Sequence, residues 1–183
     1  MRAADLGDDL DRVLYTKEQI EAKIEQIAAE IDRDYEGREI LLVGVLNGAI
    51  MVMSDLARAL NSHVNMDFMA VSSYGSGTKS SGVVRILKDL TIDIHGRDVL
   101  IVEDITDSGL TLSYLVDNLR SREPRSVEIM AMLRKPEAVT VDVPVKYLGF
   151  DIPNEFVVGF GLDFAQRYRN LADVGVLAAH VYQ

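Results

Sequence analysis

The stretch VLIVEDITDSGLT, residues 99–111, decides the fold. Val99, Leu100, Ile101 and Val102 form an apolar, largely β-branched run without alternation, the pattern of a strand buried on both faces of a sheet. Thr111, Leu112, Leu115, Val116 and Leu119 then recur at helical spacing, so strand, loop and helix follow in order. Between them Asp107, Ser108, Gly109 and Thr111 offer backbone N–H groups and hydroxyls where a helix begins, a place suited to a phosphate. Glu103 and Asp104 stand at the strand's carboxyl end, where open α/β sheets hold their ligands. The loop residues also make ordinary turns and caps. The acidic pair tips the reading towards a site, because adjacent carboxylates resist desolvation unless a cation or hydroxyl groups compensate them. A phosphate cradle beside two carboxylates points to a sugar phosphate bound with a divalent metal.

Outward from this stretch the same unit recurs. Residues 40–45 read as a buried strand, Leu46, Asn47, Gly48 and Ala49 as a tight turn, and residues 50–60 as a helix. That turn has two readings, a second anion-binding loop or a plain connection. Upstream, Thr16 and Gln19 have capping-box spacing, and Ile20, Ile24, Ile27 and Ile31 make one helical stripe that ends near Gly37. Residues 64–71 and 83–87 read as strands around a polar, glycine- and serine-rich segment, residues 72–82. Residues 126–133 form another strand, stopped by Arg134, Lys135 and Pro136; Lys135 either caps it in solvent or points into the ligand crevice. Residues 145–150 and 156–160 complete the strands, and Asp163, Arg167 and Arg169 follow among aromatics. The expected fold is α/β, a central, mostly parallel sheet flanked by helices, in one domain over residues 1–183.

Composition narrows the chemistry. With no cysteine there are no disulfides or thiolate sites, and three dispersed histidines leave a zinc site without ligands, so any metal is a hard, oxygen-bound one. No apolar run approaches a membrane span, and the acidic first residues differ from a signal peptide, so a cytoplasmic address is expected. A net charge of −10 opposes general attraction to nucleic acid or an anionic membrane.

VEDITDSGLTL at residues 102–112, SSYG at 72–75, LRKP at 133–136 and IPNEFVVGFGLDFAQRYRNL at 152–171 together resemble the type I phosphoribosyltransferases, and within them the bacterial hypoxanthine and hypoxanthine-guanine branch. The resemblance covers the chain from about Tyr15 onward. It implies transfer of ribose phosphate from phosphoribosyl pyrophosphate to a 6-oxopurine, with Mg²⁺ as cofactor, a hood built from the N- and C-terminal segments, and a homodimer or homotetramer. Asp107, Ser108, Gly109, Leu110 and Thr111 would hold the 5′-phosphate, with Glu103 and Asp104 beside the ribose hydroxyls and the metal. Asp107 would also act as general acid/base. Lys135 would donate to the purine's six-position oxygen, Phe156 would stack on the ring, and Val157 would meet the ring edge. Asp163 would reach the base and a second metal region. Asn47, Gly48 and Arg169 would receive pyrophosphate, and Ser73 and Tyr74 would belong to a flexible hairpin lid. Asn47 departs from the Lys that many members carry, so backbone donors would do the binding there; Leu110 is likewise less polar than its counterparts. The competing readings are a nucleotide-sensing RNA-binding regulator of the same fold, which the acidic charge disfavours, and a xanthine- or guanine-preferring transferase.

Overall fold

The computed structural model describes residues 1–73 and 84–182. The chain runs β1 (Leu10–Tyr15), α1 (Lys17–Asp34), β2 (Ile40–Leu46), α2 (Ile50–Ala59), β3 (Val64–Ser73) and β4 (Val84–Lys88). It continues through β5 (Asp98–Thr106), α3 (Leu110–Arg120), β6 (Ser126–Arg134), β7 (Tyr147–Asp151), β8 (Val157–Val158), β9 (Val174–Leu177) and a terminal turn of helix, α4 (Ala179–Tyr182). The order β4-β3-β2-β5-β6-β7 makes the main sheet; β4 alone is antiparallel to its neighbour. A second sheet, β1-β9-β8, is antiparallel.

The unalternating apolar runs do what their pattern predicts. Ile40, Leu42, Leu100 and Val102 pack with α1 and α2 on one face, while Leu41, Val43, Val99 and Ile101 pack with α3 on the other. Each run supplies two cores because successive strand side chains point to opposite faces. α1 begins at Thr16 with the expected capping box: Gln19 N donates to Thr16 Oγ1 (3.4 Å) and Thr16 N to Gln19 Oε1 (2.9 Å). Ile20, Ile24, Ile27 and Ile31 are its buried stripe.

Strand order fixes where a ligand can sit. From β2 the chain crosses through α2 to β3 on one side, and from β5 through α3 to β6 on the other. The loops after β2 and β5 therefore diverge, leaving a crevice at the carboxyl ends of these neighbouring parallel strands.

Several boundaries differ from the sequence expectations. β5 runs on to Thr106, so the acidic pair lies within the strand and the loop shrinks to residues 107–109. The strand expected over residues 156–160 is only Val157–Val158, because Gly159, Phe160 and Gly161 all take positive φ (99°, 48° and 101°). β1 and β9 carried no strand expectation; with β8 they bring both ends of the chain into the second sheet, here called the hood. The expected lid, with Tyr74 and the Ser73 side chain, lies outside the described residues. Among the described residues no helix is long and apolar enough to cross a membrane.

Candidate active site

The loops after β2 and β5 and the hood enclose a crevice with two arms. The first, about 240 Å³, is bounded by Glu103, Asp104, Asp107, Ser108, Gly109 and Thr111. The second, about 350 Å³, takes Asn47, Lys135, Phe156, Val157, Asp163 and Arg169. Gly48, Asp104, Ile105 and Asp107 border both arms, so the arms meet at the end of β5. Of the residues expected from the loops and the hood, Leu110 lines neither arm; it opens α3 instead.

The first arm is a helix start held in shape by a neighbouring segment. Gly109 precedes α3 with φ 82°, and a Cβ there would strike the Val141 carbonyl, so glycine is required on two counts. The Ser108 carbonyl accepts from Thr140 N and Val141 N, each at 3.0 Å, and from Thr140 Oγ1 at 3.0 Å. The loop thus presents its amides at the positive end of the α3 dipole, a place suited to an anion. Thr106 Oγ1, buried beneath this loop, has no hydrogen-bond partner among the described residues.

Electrostatically the floor is the unusual part. Glu103 is buried, and that burial, together with the neighbouring Asp104 charge, holds its carboxyl well above the usual range. Burial also pushes Asp104 up to about 6, against the hydrogen bond that Asp104 Oδ1 accepts from Ile105 N (2.8 Å) and the nearby Arg169 charge. This pair is poised for an added cation. The described residues gather no cluster of three or more carboxylate or histidine groups, so Asp163 does not join Glu103 and Asp104 in one cage. Two carboxylates fit Mg²⁺, which keeps waters and substrate oxygens in its shell and is held by one or two protein carboxylates.

In the second arm two neighbouring cations are divided between structure and site. Arg134 forms a bidentate pair with Asp151 (2.7 and 3.0 Å), whereas Lys135, its side chain 11% exposed, points its ammonium into the crevice 3.9 Å from Asp107 Oδ2. Of the two sequence readings for Lys135, the crevice one holds. Asp107 itself remains exposed and open to a ligand. Arg169 pairs with Asp163 at 2.7 Å and donates to the Gly161 carbonyl at 2.8 Å. The cation expected to receive pyrophosphate is thus tethered to the acid expected to reach the base and a second metal region. Asp163 Oδ2 also accepts from Gln166 N (2.9 Å), which fixes its loop.

Glycines bring the two halves of the crevice together. A Cβ on Gly48 would collide with the Asp104 carboxylate, and one on Gly161 with the Gly48 carbonyl. The hood loop therefore lies backbone to backbone on the turn after β2, and that turn lies directly on the Asp104 carboxylate of β5, approaches possible only without side chains. The Leu46–Asn47 peptide in this turn is cis. Gly161, Ile105 and Leu162 were not singled out in the sequence; the Gly159–Gly161 spacing was the available signal for the first, and the other two read as ordinary apolar residues.

A model of the phosphoribosyl transferase domain family matches residues 13–165. The chain is 56% identical over 181 residues to a hypoxanthine-guanine phosphoribosyltransferase of Mycobacterium tuberculosis, covering 96% of this chain and 90% of that one. It is 47% identical over 175 residues to the Bacillus subtilis protein of the same name, covering 96% and 97%. A crystal structure of a hypoxanthine phosphoribosyltransferase from Staphylococcus aureus superimposes with a TM-score of 0.95 at 43% identity, over 100% of both chains.

Proposed function

We propose that this chain, which belongs to the phosphoribosyltransferase family, is a purine-salvage enzyme that moves the 5-phosphoribosyl group from phosphoribosyl pyrophosphate to hypoxanthine or guanine, releasing pyrophosphate. The observation that carries this reading is the meeting of a helix-start phosphate receptor and an aromatic, lysine-bearing arm at Asp107.

Each group then has a task. Amides and hydroxyls from Ser108 to Thr111 hold the 5′-phosphate, with Asp107 at the head of the loop. Phe156 receives the ring face of the base and Val157 its edge. Lys135 donates to the six-position oxygen; adenine offers an amino group there and leaves the ammonium unpaired. That oxygen and N7 of the imidazole ring lie on one edge of a 6-oxopurine, which suits a lysine and an acid only 3.9 Å apart. Asp107 takes the proton from the imidazole ring as the attacking nitrogen bonds to the ribose carbon and the bond to pyrophosphate breaks. Glu103 and Asp104 stabilise the positive charge that develops on the ribose. Mg²⁺, held at Glu103 and Asp104 with Asp163 towards the pyrophosphate side, would supply charge neutralisation for the leaving anion. Asn47 and Gly48 would offer backbone donors to pyrophosphate, and Arg169 its guanidinium. This reading includes a cytoplasmic homodimer or homotetramer, which light scattering measures.

Initial rates with phosphoribosyl pyrophosphate, Mg²⁺ and each of four purine bases test the proposal. Turnover is expected with hypoxanthine and guanine and not with adenine; turnover with none would sink it. Lys135→Ala should cost about 1–3 kcal/mol of the preference for hypoxanthine over adenine. An intact preference would remove Lys135 from base recognition.

A further inference from the structure

Phe156 is 40% exposed although it borders the crevice, and it precedes a strand only two residues long. Nothing in the local backbone would hold such a ring in one orientation. Its partner comes from the end of the chain. Tyr182, in the terminal turn α4, stacks on Phe156 with ring centroids 5.3 Å apart and planes 25° from parallel. Phe164 closes the group edge-on, 5.7 Å from Phe156 and 6.4 Å from Tyr182. Tyr182 is not among the residues that line the crevice, so it covers Phe156 from the outside and leaves the inner face to a ligand.

The backbone anchors this contact. Leu177 N donates to the Phe156 carbonyl (2.9 Å), and Ala178 N donates to the Asp9 carbonyl (2.8 Å). α4 therefore starts beside the residue whose ring it covers. Phe164 also follows Asp163, which borders the same arm, so the aromatic group braces two parts of the second arm together.

We propose that Tyr182 is a positioning residue for the purine base, holding the Phe156 ring ready by stacking on the face turned away from the crevice. The inference rests on the reading of Phe156 as the base platform. A ring already fixed by a second ring loses less freedom when a base stacks on it, so the benefit appears in base binding. The ribose phosphate is held by the other arm and gains nothing from it.

The test measures KM for hypoxanthine and for phosphoribosyl pyrophosphate, with kcat, in the full chain and in Tyr182→Ala, Tyr182→Leu and Tyr182→Phe. Tyr182→Ala should raise KM for hypoxanthine about two- to tenfold, with KM for phosphoribosyl pyrophosphate and kcat nearly unchanged. Tyr182→Leu keeps apolar bulk and thus hood packing, yet should show the same rise; Tyr182→Phe should restore the parent value. A rise in both KM values together, full function in Tyr182→Leu, or no change in Tyr182→Ala would overturn the proposal. Phe156→Ala separates the two levels. If it leaves KM for hypoxanthine unchanged, the platform reading fails; if it raises KM while Tyr182→Ala does not, only the role of Tyr182 fails.

Discussion

Strand β5 carries buried carboxylates at both ends, and the two ends are treated oppositely. At its start Asp98 is fully buried and accepts hydrogen bonds from Arg38 (3.2 Å), Arg125 (3.1 Å) and Ser126 Oγ (2.6 Å). At its finish Glu103 and Asp104 stand side by side, both pushed upward chiefly by burial. A carboxylate completed by its own chain contributes to the fold; one left wanting a cation is available to a ligand. Asp67 on β3 resembles Asp98. It accepts from Thr91 N (2.6 Å), Thr91 Oγ1 (3.0 Å), Ile92 N (3.1 Å) and Phe68 N (2.7 Å), and these bonds outweigh burial and hold its carboxyl down at about 2.

The contrast can be broken experimentally. The largest effect belongs to the crevice end and falls on rate: Asp107→Asn should lower kcat by about 10²–10⁴-fold with nucleotide affinity and thermal midpoint little changed. An unchanged kcat would remove Asp107 from the chemistry. At the other end Asp98→Ala should act on stability alone, costing about 2–3 kcal/mol in urea unfolding, because it strips partners from two arginines and a serine. A folded Asp98→Ala protein with wild-type stability but slow turnover would reverse the assignment of the two ends.

Acid separates the satisfied carboxylates in the same way. Because the folded protein holds Asp67 at about 2, below the ordinary carboxylate range, its stabilisation is fully present above about pH 4 and is lost as pH falls towards 2. That loss should amount to about 2 kcal/mol and be missing from Asp67→Asn, as read from unfolding midpoints against pH. Asp104 has the opposite sign. Held at about 6, it costs stability in the ligand-free protein as pH rises from about 4 through 6. Asp104→Asn should therefore gain on the order of 1 kcal/mol at pH 7 without ligand while losing activity. A loss of stability there would mean that this end too is completed by its own chain.

How far the sequence carries depends on how local each cause is. The capping box at Thr16 and Gln19, the stripe of isoleucines and the both-faces-buried runs of β2 and β5 were readable, since periodicity and caps act within a few residues. The strand, loop and helix start around residues 107–109 were readable for the same reason. β1 and β9 were not: Leu10 pairs with Leu177, and two short strands so far apart stabilise each other only after the chain has closed. The overlong strand expected at residues 156–160 failed because its apolar residues signal burial, while positive φ at Phe160 belongs to a loop shaped by packing.

By itself the sequence determined an α/β chain with a helix-start loop beside two acids, because strand burial, helix starts and charge repulsion are written in neighbouring residues. Only the tertiary structure decided that Arg134 goes to Asp151 while Lys135 goes to Asp107, that Arg169 is tied to Asp163, and that Gly48 and Gly161 lie against each other. Those choices depend on distances between segments remote in the chain. The stacking of Tyr182 on Phe156 is a further case, joining segments that no local pattern brings together.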